Sequence, residues 1–222
     1  MQGLWASKEM CEVMIIAEYT KISGAQYLPH LDMLKHLGKI VRRAKIEVNY
    51  SQGFNPHALI FMSSPIALGL KSYSEYLVID ANSSASEFIE KFNANAPGGI
   101  VCTRAYEIPK KVNIASDITS AVYEIRGLNT FNENEVLKAK EFFVMDKRAG
   151  EKEVREKIVS LKFVGETLVC ELKFGNETLR PDYLAEKLKT LYGGEHIDII
   201  KKSVKFLDGL SFIEYVDKKK IQ

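Results

Sequence analysis

The chain has 222 residues, of which 46% are hydrophobic and 27% charged, so it can fill a core and has the balance of an ordinary globular protein. Its formal net charge of +2 gives no global case for nucleic-acid binding, and any such case must come from local clustering. No run approaches the roughly 18 apolar residues of a membrane helix, Met1–Met10 does not read as a secretion signal, and Cys11, Cys102 and Cys170 form no CxxC pair, which argues against a disulfide framework or a sequence-local metal site and for a reducing cytoplasm.

In chain order, residues 11–19 read as a central strand, because both alternating phases are partly apolar. Pro29 suits the first turn of a helix running to about Ala44, with Leu31, Leu34, Leu37, Val41 and Ala44 inward and Asp32, Lys35, His36, Lys39, Arg42 and Arg43 on the other side. Ile46–Tyr50 and Ala58–Met62 are two short strands around a loop. Ser74–Ala81 is a clear strand, Ser83 or Ser84 caps a helix with Phe88, Ile89 and Phe92 inward, and Pro97-Gly98-Gly99 stops it before a strand over Ile100–Ile108. That order is a split β-α-β, ferredoxin-like arrangement.

Pro109-Lys110-Lys111 reads as a linker, and the second half repeats the order without a residue-level repeat. Ser120–Arg126 is strand-like. Asn132 with Glu135 predicts a helix reaching about Met145. Two alternating runs, Arg155–Val164 and Thr167–Phe174, flank Gly165-Glu166 as a hairpin. Pro181 opens a helix ended by Gly193-Gly194, Ile197–Leu207 is a strand, and a short run over Phe212–Val216 comes last. The expected architecture is therefore α+β: two tandem ferredoxin-like halves, residues 1–108 and 109–222, with antiparallel sheets and helices on one face.

The chemistry-bearing residues gather in the first half. In Ser51-Gln52-Gly53-Phe54-Asn55-Pro56-His57, Gly53 can take a positive φ, Asn55 can close a side-chain turn, and Pro56 fixes the exit direction of His57. The alternative is a structural connection whose His57 caps a strand. His30 falls on the sheet side of the helix start with Leu34, and Asp32 points outward. His30 and His57, with Asp32, are candidates for acid–base chemistry; three groups are too few for a metal centre, and none is expected. Lys35, Lys39, Arg42, Arg43 and Lys45 form a basic face suited to phosphates, or simply a solvated one. With the first four of them, Gln52, Gly53, Phe54 and Asn55 are the expected RNA-binding set. Phe54 and Tyr73, in loops, could stack on bases, whereas Tyr76 reads as core. Glu75 is either a general base or the ion-pair partner of the Arg42–Arg43 region.

Several of these segments resemble a known family. They are Tyr19-Thr20-Lys21 with Gly24, Tyr27 to Met33, Arg42-Arg43-Ala44, Tyr50 to His57, Pro65, Leu68-Gly69, Ser72 and Glu75-Tyr76-Leu77, with Lys147 to Glu153 and Leu179 to Asp182 in the second half. Together they resemble the radical-SAM-linked protein family, a bacterial domain of unknown function found beside or fused to radical SAM proteins. The family usually carries Ser-His-Leu-Asp where this chain has Pro29-His30-Leu31-Asp32, so Pro29 replaces a side-chain cap. The resemblance implies a radical SAM partner and RNA of the tRNA or rRNA class as target. The chain itself has no P-loop, GxSxG, HExxH or three-cysteine cluster motif, and no cofactor of its own is expected. Three functions stand as expectations: an RNA-binding or substrate-presenting accessory subunit, a metal-independent endoribonuclease using His30 and His57, and a protein-interaction module without RNA.

Overall fold

The computed structural model describes residues 14–109, 112–175 and 178–221. The fold is mixed α+β. Among the described residues the strands are β1 (Met14–Lys21), β2 (Ile60–Met62), β3 (Lys71–Asp80), β4 (Cys102–Ile108), β5 (Ile118–Leu128), β6 (Phe143–Asp146), β7 (Gly150–Glu153), β8 (Ile158–Val164), β9 (Thr167–Lys173) and β10 (Gly194–Phe206). The helices are α1 (His30–Arg43), α2 (Ala85–Asn95), α3 (Ile114–Asp117), α4 (Asn134–Leu137), α5 (Pro181–Tyr192) and α6 (Phe212–Ile221). Eight strands form one sheet in the order β4-β1-β3-β10-β5-β9-β8, with β2 on β3, and β6 and β7 form a separate pair. Every pairing is antiparallel except that of β3 with β10. The expected strand start at Cys11 and the Lys110-Lys111 linker lie outside the described residues, and no described helix is long and apolar enough to cross a membrane.

The two apolar phases of β1 serve two cores. Ile15, Ala17 and Tyr19 pack with Leu77 and Ile79 against Met33, Leu37, Ile40 and Val41 of α1 and Phe88 and Phe92 of α2. Met14 and Ile16 join Tyr76 and Val78 in a second cluster that continues into β5, β9, α5 and α6. Helices therefore lie on both sides of β1 and β3, not on one face as the sequence suggests. Behind this is α6, which extends the short run at Phe212 into ten residues and sets Phe212 edge-on to Tyr76 (4.9 Å) and Tyr106 (5.4 Å).

A second correction concerns residues 132–145. The Asx turn at Asn132 forms, with the Asn134 N–H donating to Oδ1 at 3.1 Å, but α4 ends after one turn. Phe142 and Val144 alternate into the core, and Asp146 accepts from the N–H groups of Arg148 (2.9 Å) and Ala149 (3.3 Å), turning the chain into β7. Period-two burial and a local side-chain turn thus prevail over helix propensity. Other element ends hold, since Ser84 caps α2 by accepting from the Glu87 N–H at 3.3 Å and Gly193, at φ 84°, ends α5, but the strand expected over Ile46–Tyr50 forms only isolated bridges at Val48 and Tyr50, and Arg155–Lys157 is a 3-10 turn ahead of β8.

Two buried carboxylates organise the sheet. Glu18 accepts at one oxygen from Tyr76 (2.7 Å) and Ser74 (3.1 Å) and at the other from Arg104 (2.7 Å) and Thr103 (3.1 Å), so its charge is fully solvated by β3 and β4. Glu75 meets Lys201 of β10 at 2.5 Å, with the lysine side chain wholly buried. This ion pair lies where β3 meets β10, and there the strands share only the register pairs Ile200↔Lys71 and Lys201↔Ser72. A pair this deep is costly to break from one side, by about 3–5 kcal/mol, because the remaining charge is stranded. Lys201→Met is therefore expected to lower unfolding stability in urea by about that amount, and the double variant Glu75→Leu/Lys201→Met should recover much of it; a single-variant loss under about 0.5 kcal/mol would refute the assignment.

Cys102 and Cys170 are buried, and desolvation pushes both thiols up to about 12. A raised pKa keeps them neutral well above the usual thiol value of about 8.5. At pH 9 iodoacetamide should leave both unmodified in the folded protein and alkylate both in urea, as read by peptide mass spectrometry.

Candidate nucleic-acid interface

Helix α1 starts after Pro29, which has no side chain able to cap it and sits at φ −60° and ψ 157°. Its buried stripe is Met33, Leu37, Ile40 and Val41. Leu31, expected inward, is 69% exposed, so the stripe is set by Met33 and Ile40 rather than by the first leucine. Lys35, Lys39, Arg42 and Arg43 are all exposed, as the periodicity predicts. Lys35 is tied to Asp32 at 3.0 Å and Arg43 donates to the Asn95 carbonyl at 2.8 Å. Among the described residues, Lys39 and Arg42 have no side-chain hydrogen bond or ion pair. They are the cations of this face most available to an external anion.

The chain leaves α1 into a hairpin that stands on the end of β3. The Asn49 N–H donates to the Asp80 carbonyl (3.1 Å) and the Asn82 N–H to the Glu47 carbonyl (2.9 Å), and bridges join Val48 to Ala81 and Tyr50 to Ala58. Its tip is the Ser51–His57 loop. The Ser51 N–H donates to the His57 carbonyl at 2.8 Å, the His57 N–H donates to Ser51 Oγ at 3.1 Å, and Ser51 Oγ lies 2.9 Å from His57 Nδ1. Gly53 supplies the turn at φ 146°, a conformation side-chain-bearing residues rarely adopt. Gln52, Gly53 and Asn55 are exposed, and Phe54 is 100% exposed. The tip is closed by its own hydrogen bonds and holds an aromatic ring away from the protein.

His30 lies elsewhere. It is half-buried and, with Leu34, lines a cleft of about 500 Å³ whose other walls are Ile60, Phe61 and Met62 of β2 and residues 112–115 before and within α3. His57 is not among the lining residues; its Nδ1 is engaged by Ser51, and Asp32 by Lys35. The three expected acid–base residues thus have separate immediate neighbours. Among the described residues no group of three or more His, Cys, Asp or Glu side chains could hold a metal ion.

Two further expectations are redirected. Glu75 pairs with Lys201, not with Arg42 or Arg43. Tyr73 sits in β3 rather than a loop, with the Lys202 ammonium 5.2 Å from its ring centroid, while Tyr76 is core. Beside Glu75, Lys21 is also buried and donates to the Leu28 carbonyl at 2.8 Å; burial lowers its pKa, Glu75 opposes that, and Lys201 adds to it. Sequence reasoning missed this polar cluster, although a lysine at the end of an apolar strand was its visible sign.

The model of a family described as uncharacterized proteins conserved in bacteria, DUF2344, matches residues 15–189. No curated protein matches the chain. A solved structure of an unknown protein from Galdieria sulphuraria is 11% identical, over 86% of this chain and 98% of that one, with a TM-score of 0.26.

Because Ser51 Oγ serves both the backbone and the ring of His57, Ser51→Ala should loosen the tip without unfolding the protein. The expected result is faster amide hydrogen exchange at His57, with a change in global stability under about 1.5 kcal/mol. Unchanged exchange would show that the loop is held by other means.

Proposed function

We propose that this chain, which belongs to the DUF2344 family of bacterial proteins, is a cytoplasmic RNA-binding or substrate-presenting accessory subunit working with a radical SAM enzyme. The observation that carries the reading is the closed hairpin tip, with Phe54 fully exposed, on the segment that follows the cationic last turn of α1 in the chain. An isolated phenyl ring in water contributes nothing to folding, whereas stacking one base on an aromatic ring is worth about 1–3 kcal/mol. Arg42 and Lys39 would hold phosphates, an attraction that weakens as salt rises. Gln52 and Asn55 offer amide groups to base edges at the same tip. The radical SAM partner rests on the sequence resemblance and would supply the cluster and the difficult chemistry. The scaffold is read as two ferredoxin-like halves: the β4-β1-β3-β2 order and the β10-β5-β9-β8 order each fit that topology, with β6 and β7 inserted in the second.

Fluorescence anisotropy with a pool of short single-stranded and structured RNAs, at low salt and with chelator, tests the reading. Wild-type binding should weaken with salt, and Lys39→Glu/Arg42→Glu should flatten the slope of log K against log salt by about 1.4, roughly 0.7 for each lost phosphate contact on a single strand. Phe54→Ala should weaken binding about tenfold without changing that slope. No RNA binding, with capture of the partner enzyme lost on Phe54→Ala, would replace this reading with protein docking. Cleavage of the RNA pool lost on His57→Ala would replace it with a ribonuclease.

A further inference from the structure

We propose that the cleft between α1, β2 and the 112–115 segment is a binding pocket for one nucleobase and its ribose, with His30 and Asn113 reading the edge of the ring. The inference rests on the RNA-binding reading above and names where a single nucleotide of that substrate is taken out of the strand. The cleft, half open to solvent, offers about 500 Å³, within the usual range of roughly 300–1,000 Å³ for small-molecule sites. Its walls are mostly apolar: Leu34 on the helix side, Ile60 and Met62 on the sheet side, Ile114 from the segment that leads into the second half. Leu34 with Ile60 and Met62 gives an apolar wall on which a flat ring could lie.

The polar groups are few. Among the described residues neither the His30 imidazole, which is half-buried, nor the side-chain amide of Asn113, which is exposed at the rim, has a protein hydrogen-bond partner; the Asn113 backbone carbonyl accepts from Ser116 and Asp117. An imidazole and a primary amide together present donors and acceptors, as the edge of a base requires. A simple apolar ligand would leave both unused. The hairpin tip cannot do this work, because Phe54 stands fully exposed with no enclosing wall. Stacking at the tip and binding in the cleft are therefore assigned to separate places.

The test titrates the full-length protein with the four nucleoside 5′-monophosphates, following the Met62 methyl and His30 ring resonances by NMR. Saturable shifts at both, with at least about a tenfold preference for one base over another, are expected. Ala115→Trp, which projects an indole into the cleft, should abolish the response; because that variant could misfold, His30→Gln is run beside it and should reduce the preference between bases while leaving the methyl shift. An equal response to phenol would overturn the nucleobase assignment. No shift at millimolar nucleotide, in a protein whose RNA binding through Lys39 and Arg42 persists, would overturn the pocket and leave the RNA reading standing. Nucleotide shifts in a protein that binds no RNA would support the pocket and refute the RNA reading.

Discussion

Glu75 and Lys201 are 126 positions apart in the chain and in contact in the fold, where they close the joint between β3 and β10. Two register pairs are too few to fix the relative placement of two sheets by backbone hydrogen bonding alone. A buried charge pair is different: either charge without the other would be stranded in a low-dielectric interior, so misregister is penalised steeply even though the paired state gains little. The chain beyond β10 depends on this placement. Phe206, the last residue of that strand, stacks on Tyr215 (4.2 Å) and meets Tyr76 edge-on (5.4 Å), bringing α6 across β3 and β4. Arg104, bound to Glu18, then lies 5.3 Å from the centroid of Phe212, so the second buried carboxylate is covered by the same helix.

The cleft inherits this constraint. His30 and Leu34 come from α1 and their neighbours from β2, while Val112 to Ala115 lead towards β5, and both Val112 and Ile114 are anchored in the core that runs from β1 and β3 to β5 and β9. The hairpin tip has no such dependence. It stands on Asp80 and Asn82 and closes on itself through Ser51 and His57. One candidate surface is thus built by long-range packing and the other by a few local hydrogen bonds.

That difference decides what could be read from the chain. The tip was legible because its causes are local: a glycine where φ is positive, a proline fixing the exit, polar neighbours with no apolar period. The basic face was legible from helical spacing, and β1 as a central strand from its two apolar phases. The cleft was not, since its walls come from segments far apart in sequence, and no local pattern encodes how His30 is placed relative to His57. Glu75 was recognised as a charge needing a partner, but distance along the chain hid Lys201 and made Arg42 and Arg43 the nearer choice. The overlong helix after Asn132 failed for a related reason: Lys138 to Glu141 are good helix formers, and only the core waiting for Phe142 and Val144 puts the strand lower in free energy.

The near-neutral net charge takes on a different meaning beside these placements. Several cations of the described surface are already held by carboxylates: Lys71 by Asp198, Lys152 by Asp146, Lys205 by Glu171, Lys218 by Asp208. Screening confines exposed charges to about 10 Å at ordinary ionic strength, so distant balanced pairs neither add to nor cancel the field at the end of α1. A protein with a net charge of +2 can therefore present a locally cationic face, provided its carboxylates are committed elsewhere. On α1 the one first-turn acid, Asp32, is held by Lys35, at the opposite end of the helix from Arg42, where the hairpin begins. The local field at that end is set by the charges of α1 nearest to it, Lys39 and Arg42 among them, and not by the composition of the whole.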